Sequence, residues 1–384
     1  MATVNRKEIM DNCLKMIKTK YPASVIGKYS DIGKDVDIKT ITTGSISADY
    51  VLGKGFARIS EIVGYPSTGK TTLAFTTIAQ LQEREPDANI LYVDAEYAVD
   101  PSYAAALGVN MEKVYLLQPE SSTTAYDIIE TMIKTGVLDL VIVDSIAALV
   151  PPEYTEKEIG DAVQIASFAR LTTQAVVRIN RLSNQYDTHV IFINQYKDAV
   201  SPSGFAGGSG TVMGNTNKYA PGGPSKDFYF QQILETKRVR QIKKKDGEIV
   251  SNVYEIKSLK NKVAPPYRKG EIVITFGKGL DLVRELIGLS ITYGFIKQGG
   301  AYYTLLEDPD AGTPLFEDLK PINGETKVVD YLTDNPEAFE KLRKLVRDKI
   351  DALTDNGKNK IQIGMTEEEV EYRKELEEMT KKSN

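Results

Sequence analysis

Between about residue 35 and residue 270, short apolar runs alternate with stretches whose apolar residues recur at helical spacing. The runs predict strands at Ile59–Val63, Ile90–Val93, Val114–Leu117, Leu138–Val143 and Val190–Ile193. The helical spacing predicts helices at Ser102–Leu107, Thr123–Lys134 and Ile165–Leu182. A hairpin is predicted near the end of the region, from Phe228–Val239 and Val250–Leu259 around a turn at Asp246-Gly247. This alternation indicates an α/β core, a mostly parallel sheet with helices on both faces.

The pattern changes on both sides of this core. Residues 1–34 contain one short helix, predicted at 6–19, and the apolar stretch Ala23–Ile26. Neither can bury itself, so we expect them to serve in oligomerisation by docking on another surface, such as a neighbouring subunit. Residues 271–350 are typical of a small α+β domain, and the charged residues 351–384 are expected to form a mobile tail.

A phosphate-binding P-loop is predicted between the first strand of the core and the helix that follows it. Residues 64–71 have the spacing Gly-x4-Gly-Lys-Thr, in which glycines let backbone N–H groups surround a phosphate. The Lys70 ammonium is expected to bind the β- and γ-phosphates, and the Thr71 hydroxyl to ligate Mg²⁺. The candidate phosphate-binding residues are Gly64, Pro66, Ser67, Thr68, Gly69, Lys70, Thr71 and Thr72.

Composition narrows the class of protein. The chain has 384 residues, 41% of them apolar and 26% charged, which is typical of a folded globular protein. One cysteine and one histidine exclude an internal disulfide framework and argue against a zinc site. No apolar run approaches the ~20 residues of a membrane-spanning helix, and we expect a cytoplasmic protein. The net charge of −5 argues against a uniformly basic DNA coat, but leaves nucleic-acid binding open.

Two carboxylates follow predicted buried strands. Asp144 ends the strand Leu138–Val143 and is the expected magnesium partner of the P-loop. Glu96 follows another strand; by spacing alone it is either an activator of water or a surface glutamate. Residues 196–225, rich in glycine and proline, begin directly after the strand that ends at Gln195. A loop of this length is usually functional or disordered.

Motifs along the chain resemble those of the RecA family of DNA recombinases from bacteria and phages, including the UvsX-like phage members. The resemblance covers roughly residues 5–350. It is carried in chain order by Glu61 to Thr72, Asp94-Ala95-Glu96 with Asp100-Pro101 and Tyr103, Val143 to Leu149, Phe192 to Gln195, and Lys260-Asn261-Lys262.

The resemblance implies roles for residues around a bound ATP. It implies that Asp144 holds Mg²⁺ through water, that Glu96 is the general base, and that Gln195 senses the γ-phosphate. Asp100 and Tyr103 are implied in adenine binding, with Phe276 as a further aromatic candidate. Lys260 and Lys262 are implied to reach the ATP of a neighbouring subunit, whereas the residues alone suggest only a solvated strand end.

The resemblance also implies two DNA-binding loops, at about 156–164 and 196–225. Arg170 matches a DNA-contacting arginine of the family, and a second one falls on Val177, next to Arg178. The candidate DNA-binding residues are Val163, Gln164, Arg170, Arg178, Lys197, Met213, Asn215, Gly222 and Gly223. The second loop is longer than in the family, by an insertion near residues 202–210.

The function implied is that of an ATP- and Mg²⁺-dependent recombinase that forms helical filaments on single-stranded DNA. It would pair this strand with homologous double-stranded DNA, with mediator and single-strand-binding proteins as further partners and no membrane. The alternatives are a ring-forming helicase on the same ATPase core, or a passive coat for single strands that only binds ATP. Electron microscopy with ATP and DNA separates filament from ring, and phosphate release separates motor from coat.

Overall fold

The computed structural model describes residues 6–22, 26–28, 39–152, 165–198, 218–244 and 247–355. The chain divides into two units, residues 1–39 and 40–384, and each is described by itself. The first contains helix α1 (Arg6–Lys20), which confirms the helix predicted at 6–19. Lys18 and Lys20 lie in its last turn, where the helix dipole favours positive charge. Residues 23–25 of the predicted strand lie outside the described residues.

A nine-stranded sheet forms the centre of the second unit, as far as the structure describes it. Its strands are, in spatial order, β11 (Gly279–Leu280), β10 (Lys269–Thr275), β9 (Ile249–Asn261), β8 (Gln232–Lys243), β1 (Ile59–Gly64), β5 (His189–Gln195), β4 (Leu140–Asp144), β2 (Ile90–Asp94) and β3 (Val114–Leu117). The strands from β8 to β3 run parallel, and β9, β10 and β11 extend the sheet antiparallel. The predicted α/β fold class is confirmed.

Helices cover both faces of this sheet. One face packs against α2 (Ile46–Leu52), α3 (Lys70–Arg84) and α4 (Pro101–Ala106), and the other against α5 (Ser122–Ile133) and α6 (Ile165–Tyr186). Successive strand residues point to opposite faces; in β4, Ile142 lies in the first core and Val141 and Val143 lie in the second. Because both faces are buried, the central strands β2, β4 and β5 are mostly apolar rather than alternating.

The hairpin strand β8 begins later along the chain than predicted, and the antiparallel strands extend the sheet further than predicted. The predicted strand start at Phe228 is wrong, because residues Pro224–Phe228 form a 3₁₀ turn and β8 begins at Gln232. Its hairpin closes through Lys244 N–H donating to Glu248 O at 2.8 Å, beside Gly247 with φ +89°. Strands β10 and β11 continue the sheet to Leu280, past the predicted domain boundary at residue 270.

The C-terminal part consists of three helices and a small four-stranded sheet within the described residues. Its elements are α7 (Leu282–Thr292), β12 (Ile296–Gly299), β13 (Tyr302–Asp308), β14 (Thr313–Pro314), β15 (Ile322–Asn323), α8 (Glu325–Asp334) and α9 (Pro336–Asp355). They enclose a separate core that includes Leu286, Leu305 and Leu342. The predicted tail lies outside the described residues from 356 onward, and β6 and β7 belong to the site below.

A buried carboxylate joins the C-terminal part to the core. Glu285 of α7 accepts hydrogen bonds from Ser45 Oγ at 2.7 Å and from Ser47 N–H at 2.6 Å. Ser45 also caps α2, since its hydroxyl accepts from Ala48 N–H at 2.9 Å. Burial raises the pKa of Glu285 to about 7, although these hydrogen bonds oppose the shift.

Replacing Glu285 is therefore expected to change how stability depends on pH. The pKa of an unfolded glutamate is about 4.5, so between pH 4.5 and 7 the folded protein keeps a proton that the unfolded chain has released. Stability should fall as pH rises through this window, by up to ~1.4 kcal/mol per pH unit. In Glu285→Gln, which cannot ionise, this part of the slope should vanish in urea unfolding at pH 5 to 8. The exposed Glu317→Gln serves as control; an unchanged slope in Glu285→Gln would contradict the assignment.

Candidate nucleotide and nucleic-acid site

The parallel strands bring the predicted nucleotide residues to one edge of the sheet. Gly64 pairs in register with Gln195, and Asp94 with Asp144. Since these residues end β1, β5, β2 and β4, the four carboxyl ends meet at the same edge. The crevice outside such carboxyl ends is where α/β sheets bind ligands.

The P-loop follows β1, and α3 begins at Lys70. Gly69 has φ +81°, and a Cβ atom there would lie 2.4 Å from Ile274 Cδ1 of β10. A Cβ atom on Gly64 would lie 2.5 Å from Thr236 Oγ1 of β8. A Cβ atom on Gly64 would also lie 2.6 Å from the backbone oxygen of Thr236, so packing favours glycine there, whereas at Gly69 the positive φ favours it.

Lys70 is buried inside the loop. Its Nζ donates to the carbonyl oxygens of Gly64 at 3.2 Å and Tyr65 at 2.7 Å. Burial lowers the pKa of Lys70 to about 8, although the carboxylates of Asp144 and Glu96 oppose the shift. The loop thus holds a partly desolvated ammonium, which is the group a polyphosphate requires.

Thr71 and Asp144 meet beside the first turn of α3. Thr71 Oγ1 donates to Asp144 Oδ2 at 2.7 Å, and Tyr92 OH donates to the same oxygen at 2.8 Å. Burial raises the pKa of Asp144, and both hydrogen bonds oppose this. Sequence reasoning missed Tyr92, because it resembled any apolar residue of its strand.

This hydroxyl–carboxylate pair fits Mg²⁺. In the described ranges, no group of three or more histidine, cysteine or acidic side chains forms a metal cluster. Mg²⁺ bound with nucleotides needs no such cluster, because one or two protein oxygens suffice when waters and phosphates complete the shell.

Glu96 lies at the same edge, exposed to solvent but held by two side-chain hydrogen bonds. Its Oε1 accepts from Ser145 Oγ and from Gln195 Nε2, each at 2.5 Å. The turn that carries it is fixed by the buried Asp94, which accepts from Ala98 N–H at 3.1 Å. The structure thus brings Glu96 and Gln195 into direct contact, and adds Ser145, which the sequence did not single out.

The adenine candidates lie around this edge. Asp100 caps α4 by accepting from the N–H groups of Ser102 at 2.9 Å and Tyr103 at 3.2 Å. Tyr103 OH lies 2.8 Å from Thr72 Oγ1 of α3. Phe276 is exposed just after β10, two residues beyond the Ile274 that abuts the P-loop.

Comparison with known proteins identifies the family. A profile described as RecA N-terminal domain matches residues 8–281. The protein RecA of Thermus aquaticus is 33% identical over 352 residues, which are 91% of this chain and 96% of that protein. The protein RecA of Bacillus subtilis is 33% identical over 371 residues, which are 96% of this chain and 99% of that protein. The chain belongs to the RecA family.

As a RecA-family protein, the chain is a DNA-dependent ATPase and a recombinase. It binds single- and double-stranded DNA, assembles into filaments, and acts in homologous pairing and strand exchange. In the part of the chain that the structure describes, the helices are too short or too polar to cross a membrane.

Helix α6 carries part of the candidate DNA surface. Gly222 and Gly223 have φ of +90° and +75°, and Cβ atoms there would each lie 2.9 Å from side-chain atoms of Thr172 and Ala169 of α6. This glycine pair therefore packs directly on the helix. Arg170 is exposed on the same helix, between these two contact residues.

The structure places the other candidate DNA-binding residues in different environments. Arg178 pairs with the buried carboxylate of Glu130 on α5 at 2.7 Å, so its guanidinium is already engaged within the chain. Lys197 is exposed on strand β6 (Lys197–Asp198). Four of the candidates lie outside the described residues, namely Val163, Gln164, Met213 and Asn215.

The two ends of the glycine-rich segment are joined to each other and to the core. Strand β6 pairs antiparallel with β7 (Lys218–Tyr219). Asp198 accepts from Tyr65 OH of the P-loop at 2.8 Å. Glu235 of β8 contacts both ends, since it accepts from Tyr196 OH at 2.9 Å and from Lys218 Nζ at 2.6 Å. Sequence reasoning predicted none of these contacts.

Lys260 and Lys262 lie at the opposite edge of the sheet. Asn261 between them pairs with Gln232, which pairs with Ser60 near the start of β1, whereas the P-loop follows the end of β1. Lys260 Nζ donates to the carbonyl oxygens of Asp227 at 2.5 Å and Phe228 at 3.0 Å. Lys260 and Lys262 therefore lie away from the nucleotide-binding edge of their own chain.

The lowered pKa of Lys70 predicts that nucleotide affinity depends on pH. A bound phosphate favours the charged ammonium, so binding takes up a proton once the free lysine deprotonates above about pH 8. Affinity for a nucleoside triphosphate should weaken above pH 8, by up to ~10-fold per unit. Titrations from pH 7.5 to 9.5 measure this, with Lys70→Arg, which stays charged, as the control. An equal pH dependence in both proteins would contradict the role of Lys70.

Proposed function

We propose that this RecA-family protein binds ATP with Mg²⁺ at the P-loop edge, and that bound ATP raises its affinity for single-stranded DNA. The contact that carries the proposal is the hydrogen bond from Gln195 to Glu96. It joins the residue proposed to activate water to the residue that directly precedes the candidate DNA-binding segment. Hydrolysis and DNA binding would then share one side-chain contact.

At the nucleotide, each residue has a proposed role. Lys70 and the P-loop N–H groups bind phosphate, Thr71 and Asp144 hold Mg²⁺, with Asp144 acting through water, and Asp100 and Tyr103 flank adenine together with Phe276. Mg²⁺ would neutralise charge on the phosphates. The pair of Thr71 and Asp144 at the start of α3 supports this arrangement.

Glu96 is proposed to accept a proton from water, and Gln195 to respond to the γ-phosphate. Ser145 and Gln195 both donate to the same carboxylate oxygen of Glu96, Oε1. A phosphate near Gln195 would compete for the same amide. The nucleotide-free and ATP-bound states would therefore differ in the contact that Gln195 makes, directly before the DNA segment. Linkage between two ligands requires such a difference between states.

Lys260 and Lys262 are proposed to act on the ATP of the next subunit. Their position on the edge opposite the P-loop suits a head-to-tail contact, which generates a helical filament when it does not close. The N-terminal segment is proposed to add to a neighbour's sheet edge. The outermost strand β3 suits such pairing, since Tyr115 and Leu116 are exposed there.

Arg170 and the segment 196–225, with its glycine pair, are proposed to line the DNA path. Lysine, arginine and backbone N–H groups bind phosphates without reading sequence, so the test of homology passes to base pairing. Mediator and single-strand-binding partners and a cytoplasmic location stay predictions.

Removing the proposed base should separate binding from chemistry. In Glu96→Gln, ATP binding and filament formation should persist, because the amide keeps an oxygen that accepts from Ser145. Hydrolysis should slow by ~10²-fold or more, the usual scale for a general base. Phosphate release and electron microscopy measure the two properties, with the exposed Glu112→Gln as control. Hydrolysis at the parental rate would show that another group activates the water.

Mixing two inactive variants tests whether the lysines act between subunits. Lys70→Ala lacks a working P-loop, and Lys260→Ala/Lys262→Ala lacks the proposed lysines; each alone should hydrolyse little ATP. In an equal mixture on single-stranded DNA, about a quarter of head-to-tail contacts would combine an intact P-loop with intact lysines. Hydrolysis should therefore recover to about a quarter of the parental rate, as measured by phosphate release. A mixture as inactive as its components would place the lysines outside a shared site.

A further inference from the structure

A lysine is buried almost completely beside the returning end of the DNA segment. Lys226 is 1% exposed and lies in the 3₁₀ turn Pro224–Phe228. Its Nζ is 2.7 Å from Glu61 Oε1 and 2.6 Å from Asp227 Oδ1. Burial lowers the pKa of Lys226, but the two carboxylates outweigh burial and hold it above its ordinary value. Burial raises the pKa of Glu61, and Lys226 and the hydrogen bond from Asn194 oppose this shift. The interior therefore holds a closely hydrogen-bonded lysine–carboxylate pair.

The partner carboxylate connects the two strands that lead to the nucleotide edge. Glu61 is on β1, three residues before Gly64. Its Oε1 also accepts from Asn194 Nδ2 at 2.8 Å, and Asn194 directly precedes Gln195 on β5. The same amide donates to Pro221 O at 3.0 Å, beside the glycine pair. Hydrogen bonds to one carboxylate oxygen of Glu61, together with the Asn194 amide, thus connect β1, β5 and the end of the DNA segment.

The turn also contacts the opposite edge of the sheet. The carbonyl oxygens of Asp227 and Phe228, next to Lys226, hold Lys260 Nζ. A Cβ atom on Gly222 would lie 3.1 Å from Lys226 Cδ, so the lysine stem packs under the glycine pair. Displacement of this turn would therefore move the DNA segment and Lys260 together.

Packing alone gives no reason for a charged pair here. Moving two charged groups out of water is costly, and apolar residues of similar size often stabilise a core as well or better. The pair instead fixes a geometry, because a fully buried ammonium must keep its hydrogen bonds to its acceptor oxygens. The position of the turn is therefore fixed relative to β1 and β5, which carry the P-loop and Gln195.

We propose that Lys226 is a positioning residue that couples the nucleotide edge to the DNA segment by anchoring the turn Pro224–Phe228 to Glu61 and, through Glu61, to Asn194. This deepens the proposed function and rests on it, since that function assigns nucleotide to the P-loop edge and DNA to the segment. The anchor works alongside the Gln195–Glu96 contact, because Gln195 directly precedes the segment and Lys226 directly follows it.

The test uses a neutral replacement of the whole pair. Lys226→Met alone leaves the Glu61 charge buried and unpaired, and should lower the urea midpoint of unfolding. In Glu61→Gln/Lys226→Met, the amide oxygen introduced at position 61 still accepts from Asn194, and the midpoint should largely recover. DNA affinity is then measured with and without a non-hydrolysable ATP analogue, at one fixed salt concentration.

The double variant should bind DNA normally without nucleotide, but the gain in DNA affinity from the analogue should shrink at least ~5-fold, the lower end of usual coupling. The same substitution at an exposed pair, Lys244→Met, is the control and should keep the parental gain. A recovered double variant that keeps the parental gain would overturn the anchor and leave the proposed function intact. A parental protein without any gain would contradict the proposed function itself, and the anchor with it.

A measurement on the parental protein keeps the proposal testable if the double variant does not fold. Hydrogen exchange should change severalfold at the turn on binding of the ATP analogue without DNA, notably at Tyr229 N–H, which donates to Lys226 O at 3.0 Å. The hairpin turn at Lys244 and Glu248 should not change. An equal change in hydrogen exchange at the two turns would overturn the proposed role of Lys226 as an anchor.

Discussion

The parallel register of β1, β5, β4 and β2 is the constraint on which the site depends. It sets Gly64 beside Gln195 and Asp94 beside Asp144, so loops far apart in sequence begin side by side. A slip of one residue in any pair would turn a buried side chain to the opposite face. Because both faces are packed with apolar residues, such a slip would expose one core and crowd the other. The hydrophobic cores therefore fix the site's geometry without contributing a catalytic group.

The antiparallel extension gives the molecule two chemically different edges. One carries the P-loop, Glu96 and Gln195, and the other carries Lys260 and Lys262. The turn Pro224–Phe228 reaches from the second edge toward Glu61 under the first. A RecA-family subunit with unlike edges has a direction, and a filament built from such subunits inherits it.

Sequence predicted most of the parallel core, because apolar runs and helical spacing report directly on burial. The P-loop, Asp144 and Gln195 could be placed since each follows a recognisable strand. Partners distant in sequence could not be found, as with Tyr92 on Asp144 and Ser145 on Glu96. The start of β8 was misplaced because Phe228 belongs to a proline-initiated 3₁₀ turn that ends before the strand begins. An isolated lysine such as Lys226 gives no sign of burial in the sequence.

The short β6–β7 ladder separates the length of the glycine-rich segment from the geometry of the core. Asp198 and Lys218 pair across it, and each is held to the core by a further contact, with Tyr65 and with Glu235. Chain inserted between these two residues leaves both anchor points where they are. Closing a longer loop costs little, ~0.6 kcal/mol for each doubling of its length. The interior of this segment can therefore change in length or sequence while the two anchor points and the ATPase core beneath them keep their places.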